Sequence, residues 1–183
     1  MTHSRRDFLR YLASVTLGGA VVGSLAGSPL WAAPVPKKRV LVLESVHSGK
    51  RLEVAYAVGN RYVPDALARL NTFLRDPVNG AVTRMDPRLF DLLHIIWTRL
   101  GSKGTFQVIS GYRSPSTNAQ MRRHSRGVAR NSFHTRGKAV DVCLRGVPLT
   151  RLRDAALMAR VGGVGFYPCD GFVHLDTGPV RTW

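Results

Sequence analysis

The sequence predicts an α+β fold, a mainly antiparallel sheet with helices packed on one side, and three observations carry that prediction. Short runs alternate apolar and polar residues, as in Ala139-Val140-Asp141-Val142-Cys143-Leu144. Longer runs repeat leucines at helical spacing, as in Leu89, Leu92, Leu93 and Ile96. The strand candidates at both ends of the domain come in pairs joined by tight turns, which antiparallel hairpins require and parallel strands forbid.

Pro34-Val35-Pro36-Lys37-Lys38 reads as a linker into the folded part. Arg39 to Ser45 and Arg51 to Val58 then make a hairpin around His47-Ser48-Gly49. A helix follows from Pro64 to Leu74, with Leu67, Leu70 and Leu74 on one face. A second starts at the Asp86 cap with Pro87 in its first position, carries a broad apolar stripe to Leu100, and ends at Gly101. His94 lies off that stripe, which fits a solvated or satisfied histidine. Phe106 to Ser110 is a short strand running into Gly111-Tyr112-Arg113-Ser114-Pro115, and Ser116 is positioned to cap a helix reaching His124. Ala139 to Leu144 is a strand and Leu149 to Ala159 a helix. Val164 to Tyr167 and Phe172 to Asp176 form the last hairpin. No repeat or second domain is visible, so residues 34–183 are expected to be one domain.

The first 33 residues have a different character. Ser4-Arg5-Arg6-Asp7-Phe8-Leu9-Arg10 precedes a weakly apolar, glycine-bearing run from Tyr11 to Ala26, the pattern of a twin-arginine export signal. That run is shorter than the roughly 20 apolar residues a membrane helix needs, so no stable membrane anchor is expected once the signal is removed. The destination is the periplasm. Without residues 1–33 the formal charge falls from +16 to +14, because Arg5, Arg6, Arg10 and Asp7 go with them. Export argues against nucleic acid as the partner of this charge and suits an anionic polymer of the cell envelope. Cys143 and Cys169 would meet an oxidising compartment, either bridged or free.

The chemistry gathers in two strands. In Ala139–Leu144, Val140, Val142 and Leu144 can face the core while Asp141 faces away; in Phe172–Asp176, Val173 and Leu175 face the core while Phe172, His174 and Asp176 share the other side. Matching faces in one sheet would bring Asp141, His174 and Asp176 to one patch. His134, seven residues before Asp141 and set off by Gly137, can fold over it. Two imidazoles and a carboxylate make a three-ligand Zn²⁺ site on the sheet face that leaves one coordination position open. An open position points to catalysis, because a closed site would only staple the fold.

Four segments, Ser110–Ser114, Ser132–Asp141, Gly162–Tyr167 and Phe172–Gly178, together resemble the zinc peptidases of the D-alanyl-D-alanine peptidase type, and among them the MepK-type murein endopeptidases. The resemblance implies hydrolysis of peptide cross-links in peptidoglycan, in that branch at the bond between two diaminopimelate residues. It implies His134, Asp141 and His174 as zinc ligands and Arg113 as the cation facing the scissile carbonyl. The dipeptidase branch carries a glutamate base three residues before the second histidine, where this chain has Gly171. Asp176 is then the first choice of base, with the alternative that it only orients a ligand imidazole. Asp170 is more simply a turn residue. Tyr112, His124, Arg126 and Phe172 are the expected substrate contacts, and the basic run from Arg122 to Arg130 either grips stem-peptide carboxylates or is a solvated face. A carboxypeptidase trimming D-alanine, and a wall-binding domain with a structural zinc, remain as rivals.

Overall fold

The first hairpin forms as its alternation requires. Strands β1 (Lys38–Ser45) and β2 (Arg51–Val58) pair antiparallel, with Leu41 opposite Val54 and Leu43 opposite Leu52, so one face of the pair is continuous hydrocarbon. A two-residue strand, β3 (Arg61–Tyr62), folds back on β2. Helix α1 (Pro64–Phe73) follows and buries Ala66 and Leu70, with Leu74 at its end. Helix α2 (Pro87–Arg99) has the expected start, where an Asp86 carboxylate oxygen accepts the Arg88 N–H at 3.0 Å. It buries Leu89, Phe90, Leu92, Leu93 and Ile96. His94 is a satisfied residue, its Nδ1 at 3.1 Å from the Val40 carbonyl.

The remaining elements are β4 (Phe106–Ser110), α3 (Pro115–His124), a 3₁₀ turn (Phe133–Arg136), β5 (Ala139–Leu144), α4 (Leu149–Ala159), β6 (Gly163–Tyr167), β7 (Phe172–Asp176) and β8 (Arg181–Thr182). The eight strands make one sheet in the order β3-β2-β1-β4-β5-β7-β6-β8. Pairing is parallel at β1–β4 and β6–β8 and antiparallel elsewhere. This is a computed structural model in which residues 37–125 and 127–183 are described; the expected leader at 1–33 and the expected contact Arg126 lie outside the described residues. The folded unit is Pro36–Trp183. No helix among the described residues is long and apolar enough to cross a membrane.

One core lies on one face of the sheet. Leu41, Leu43, Tyr56, Phe106, Val142 and Val173 meet the buried sides of α1, α2 and α4 in a single cluster. Each fully buried side chain of this size contributes about 1.5–3 kcal/mol, so this layer holds the sheet rigid beneath its other face. Helix α3 does not join the core, and its buried residues are the polar Thr117 and Asn118. Its cap is Ser114, whose Oγ accepts the Thr117 N–H at 3.2 Å, and not Ser116. Pro115 explains the shift: with no N–H and φ already helical it takes the first helical position, which puts the cap one residue before it.

Candidate functional site

A register shift in β4 between Val108 and Ser110 turns the chain out of the sheet beside Asp141. The loop that follows is held by its own backbone. Tyr112 N–H donates to Leu74 O at 2.7 Å and Arg113 N–H to His134 O at 3.3 Å. Ser114 N–H donates to Asp76 Oδ2 at 2.8 Å. Asp76 is fully buried and also accepts the Val78 N–H at 2.9 Å. Burial alone would raise its pKa, but hydrogen bonds from Thr117, Ser114 and Val78 outweigh it and hold the carboxyl below its ordinary value.

His134 sits on the 3₁₀ turn, where the Ser132 Oγ accepts its N–H at 3.3 Å. Asp141 and His174 stand directly opposite each other on β5 and β7, on the face away from the core. Three atoms meet there. His134 Nε2 lies 3.2 Å from His174 Nδ1 and 3.2 Å from Asp141 Oδ1, and His174 Nδ1 lies 2.8 Å from Asp141 Oδ1. Tetrahedral zinc with bonds of about 2.0–2.2 Å separates its ligand atoms by about 3.3 Å, so the donors need to move little to hold such an ion. Among the described residues this is the group that could hold a metal.

The outward nitrogens fit the same purpose. His134 Nδ1–H donates to Gly111 O at 2.7 Å, and His174 Nε2–H donates to Asp176 Oδ2 at 3.2 Å. Those bonds direct the lone pairs of the other two nitrogens inward, the arrangement that orients metal-binding histidines. Burial would raise the Asp141 pKa, yet the adjacent His134 and His174 hold it well below the usual carboxylate range, so it is an anionic donor. Burial pulls His174 down, and its bonds to Asp141 and Asp176 outweigh that and push it up.

Asp176 departs from the role expected first. Its carboxylate is fully buried, and both oxygens are occupied: Oδ1 accepts Gly163 N–H (3.1 Å), Gly178 N–H (2.8 Å) and Arg181 Nη1 (3.2 Å), while Oδ2 accepts Arg181 Nη2 (2.7 Å) and His174 Nε2. Burial would raise its pKa, but these bonds hold it well below the ordinary range. A carboxylate so engaged is a weaker acceptor for a proton from water than a free one. The arrangement suits the orienting role that the sequence left open.

Arg113 is half-buried at the end of the β4 loop, its Nη1 at 3.4 Å from Asn118 Oδ1 and its Nη2 at 3.4 Å from Ser110 Oγ. Burial lowers its pKa and the charges of Asp141 and Asp76 partly restore it. Among the described residues no carboxylate forms an ion pair with it, and it borders the space above the site. That space is a groove of about 860 Å³, with Arg113, His134, Asp141 and His174 along it. His124 and Phe172 line the groove, as does Asp170. Phe172 stacks on Tyr167 with ring centres 4.7 Å apart. Tyr112 is not among the lining residues: it is partly buried and packs against the hydrophobic core. Cys143 and Cys169 are both free thiols, with Cys143 Sγ at 3.3 Å from Gln107 Oε1.

Sequence reasoning missed Arg181 and Trp183, which also border the groove. A buried aspartate at position 176 requires a cation, and an arginine five residues on was the available signal.

Comparison with known proteins gives the family. The family model described as peptidoglycan L,D-endopeptidase MepK, a family of M15 peptidases, matches residues 33–183. Peptidoglycan L,D-endopeptidase MepK of Escherichia coli K12 is 42% identical over 180 residues, 98% of this chain and 97% of that protein. Its counterpart in Shigella flexneri matches to the same extent. The probable peptidoglycan L,D-endopeptidase MepK of Haemophilus influenzae is 44% identical over 172 residues, 92% of each chain. With its inward-facing His–Asp–His triad and a match across nearly its whole length, this chain belongs to the MepK family of M15 peptidases.

Proposed function

We infer that this chain is a metal-dependent peptidoglycan endopeptidase, and we propose that its metal is zinc, its substrate bond the one between two diaminopimelate residues, and its place the periplasm, reached by twin-arginine export. The observation that carries the reading is the triad. Two histidines and a carboxylate turn three donor atoms toward one point, with the remaining nitrogen of each ring already bonded. They do so along a groove of about 860 Å³.

His134, Asp141 and His174 would hold the zinc, which supplies Lewis acidity to the scissile carbonyl and makes water a nucleophile near neutral pH. The remaining work belongs to side chains. Arg113 stabilises the oxyanion that develops on the carbonyl, where a guanidinium held in a partly dry site acts most strongly. Asp176 keeps the His174 ring in register. We assign acceptance of the water's proton to Asp170, the other carboxylate lining the groove besides Asp141. It stands one residue before Gly171, the position at which the dipeptidase branch has its glutamate. Gly171 itself has φ of 77°, a backbone region that disfavours a side chain, so the neighbouring position is the available one. His124, Arg126 and Phe172 would contact the stem peptides.

Digestion of purified peptidoglycan, with and without chelator and added zinc, tests this reading through the released muropeptides. Loss of cross-linked dimers that stops with chelator and returns with zinc is expected. Loss of terminal alanine alone would make the chain a carboxypeptidase, and binding without cleavage would make it a wall-binding domain.

A further inference from the structure

Strand β8 is too short to matter to the core, and both its residues are exposed. Its side chains nevertheless reach the site. It pairs parallel with β6, placing Arg181 opposite Gly163, and Trp183 continues the ladder, donating its N–H to Val164 O at 3.3 Å and accepting from Phe166 N–H at 3.0 Å. From there Arg181 makes the two-pronged contact to Asp176, and Asp176 in turn holds His174. The guanidinium lies between two rings, 5.0 Å from the centre of Phe133 and 4.8 Å from that of Trp183. Phe133 is the residue before His134. The Trp183 indole lies 5.3 Å from the His174 imidazole, and its Nε1–H donates to Tyr167 OH at 2.7 Å. Gly165, on the strand between, makes room: a Cβ there would come within 2.7 Å of the indole.

These contacts converge on the triad from outside. We propose that Arg181 and Trp183 are positioning residues of the metal site: Arg181 fixes Asp176, and through it the His174 ring, while stacking against the turn that carries His134, and Trp183 braces the open side of His174. The inference rests on the reading that His134, Asp141 and His174 hold a metal. Its physical content is geometric. An imidazole with one hydrogen bond can still rock about that bond; a fork-bonded carboxylate behind it and an indole beside it remove the remaining freedom. The second histidine benefits through Phe133, so one short strand constrains ligands that lie 40 residues apart in sequence.

The test uses the full chain and its variants Arg181→Ala, Arg181→Lys, Trp183→Ala and Trp183→Phe, with His134→Ala as control. Zinc affinity is measured by competition with a chromophoric chelator, the visible absorption of the Co²⁺-loaded protein is recorded, and the thermal unfolding of the metal-free protein is followed alongside. Expected is a loss of zinc affinity of about 10- to 100-fold in Arg181→Ala, with a smaller loss in Arg181→Lys, which keeps the charge but not the fork. Trp183→Ala shifts the Co²⁺ bands and Trp183→Phe restores them. Parent-like affinity and Co²⁺ bands in Arg181→Ala and Trp183→Ala overturn the proposal. So does a loss matched by an equal fall in metal-free stability with the bands of the bound fraction unchanged, since that is support of the fold alone. If Arg181→Ala does not fold, Arg181→Lys decides by the same criteria. A parent that binds no better than His134→Ala overturns the metal reading itself, and the two failures are thereby told apart.

Discussion

At the scale of single residues, the two aspartates of the last hairpin differ in their surroundings. Asp176 is fully buried with every lone pair engaged, and Asp170 is exposed in the turn at the groove. Asp176→Asn is expected to lower zinc affinity, and Asp170→Asn is expected to lower kcat/KM while leaving zinc bound. Metal analysis and kcat/KM across the acid-to-alkaline range check both. In the proposed reaction Arg113 would act on a charge that exists only in the transition state. Arg113→Lys should therefore reduce kcat by about 10²–10³-fold with KM nearly unchanged, measured on a soluble cross-linked muropeptide. An effect confined to KM would assign Arg113 to substrate binding instead.

At the scale of elements, the site depends on a loop and a turn braced by buried polar groups. The β4 loop that carries Arg113 hangs on Asp76, whose carboxylate accepts the Ser114 and Val78 N–H groups. Because its folded pKa lies below the unfolded value of about 3.9, the ionised group contributes stability that is complete above that value and is lost as pH falls through the folded one. Asp76→Asn should cost about 1–3 kcal/mol at neutral pH, and the difference from the parent should shrink below about pH 4. Urea unfolding at a series of pH values measures it. A difference constant with pH would assign the loss to shape and not to charge. The elements themselves are legible in the sequence where periodicity is strong: β5 and β7 alternate cleanly, so alternation alone puts Asp141 and His174 on outward faces that match. The cap of α3 is harder to read, because a serine before Pro115 competes with one two residues later. Tyr112 reads as a groove residue and packs instead against the core, in a loop that follows a register shift in β4 that alternation does not reveal. Strands β3 and β8 have only two residues each, too few to show a period, so the Arg181 contact is hidden with them.

At the scale of the whole molecule, the triad joins β5, β7 and the turn before β5, so a metal held there ties together segments that meet only in the folded chain. Binding to the native state alone should raise stability by about 2.7 kcal/mol when free metal is about 100-fold above its dissociation constant. Thermal unfolding with zinc and after chelation reads that difference, and identical curves would mean the ion is not held by the folded site. The sheet also ends at both edges in two-residue strands, Arg61–Tyr62 and Arg181–Thr182. A guest peptide that adds itself to a sheet needs a long row of unpaired N–H and C=O groups; β3 covers β2 only at Ala57 and Val58, so among the described strands the row from Arg51 to Ala55 is the stretch that could take one. A peptide added there would lie four strand spacings, about 19 Å, from β5 and its ligand, so changes of bond preference among variants should map to side chains along the groove, leaving the ladder free to serve as a frame for redesign.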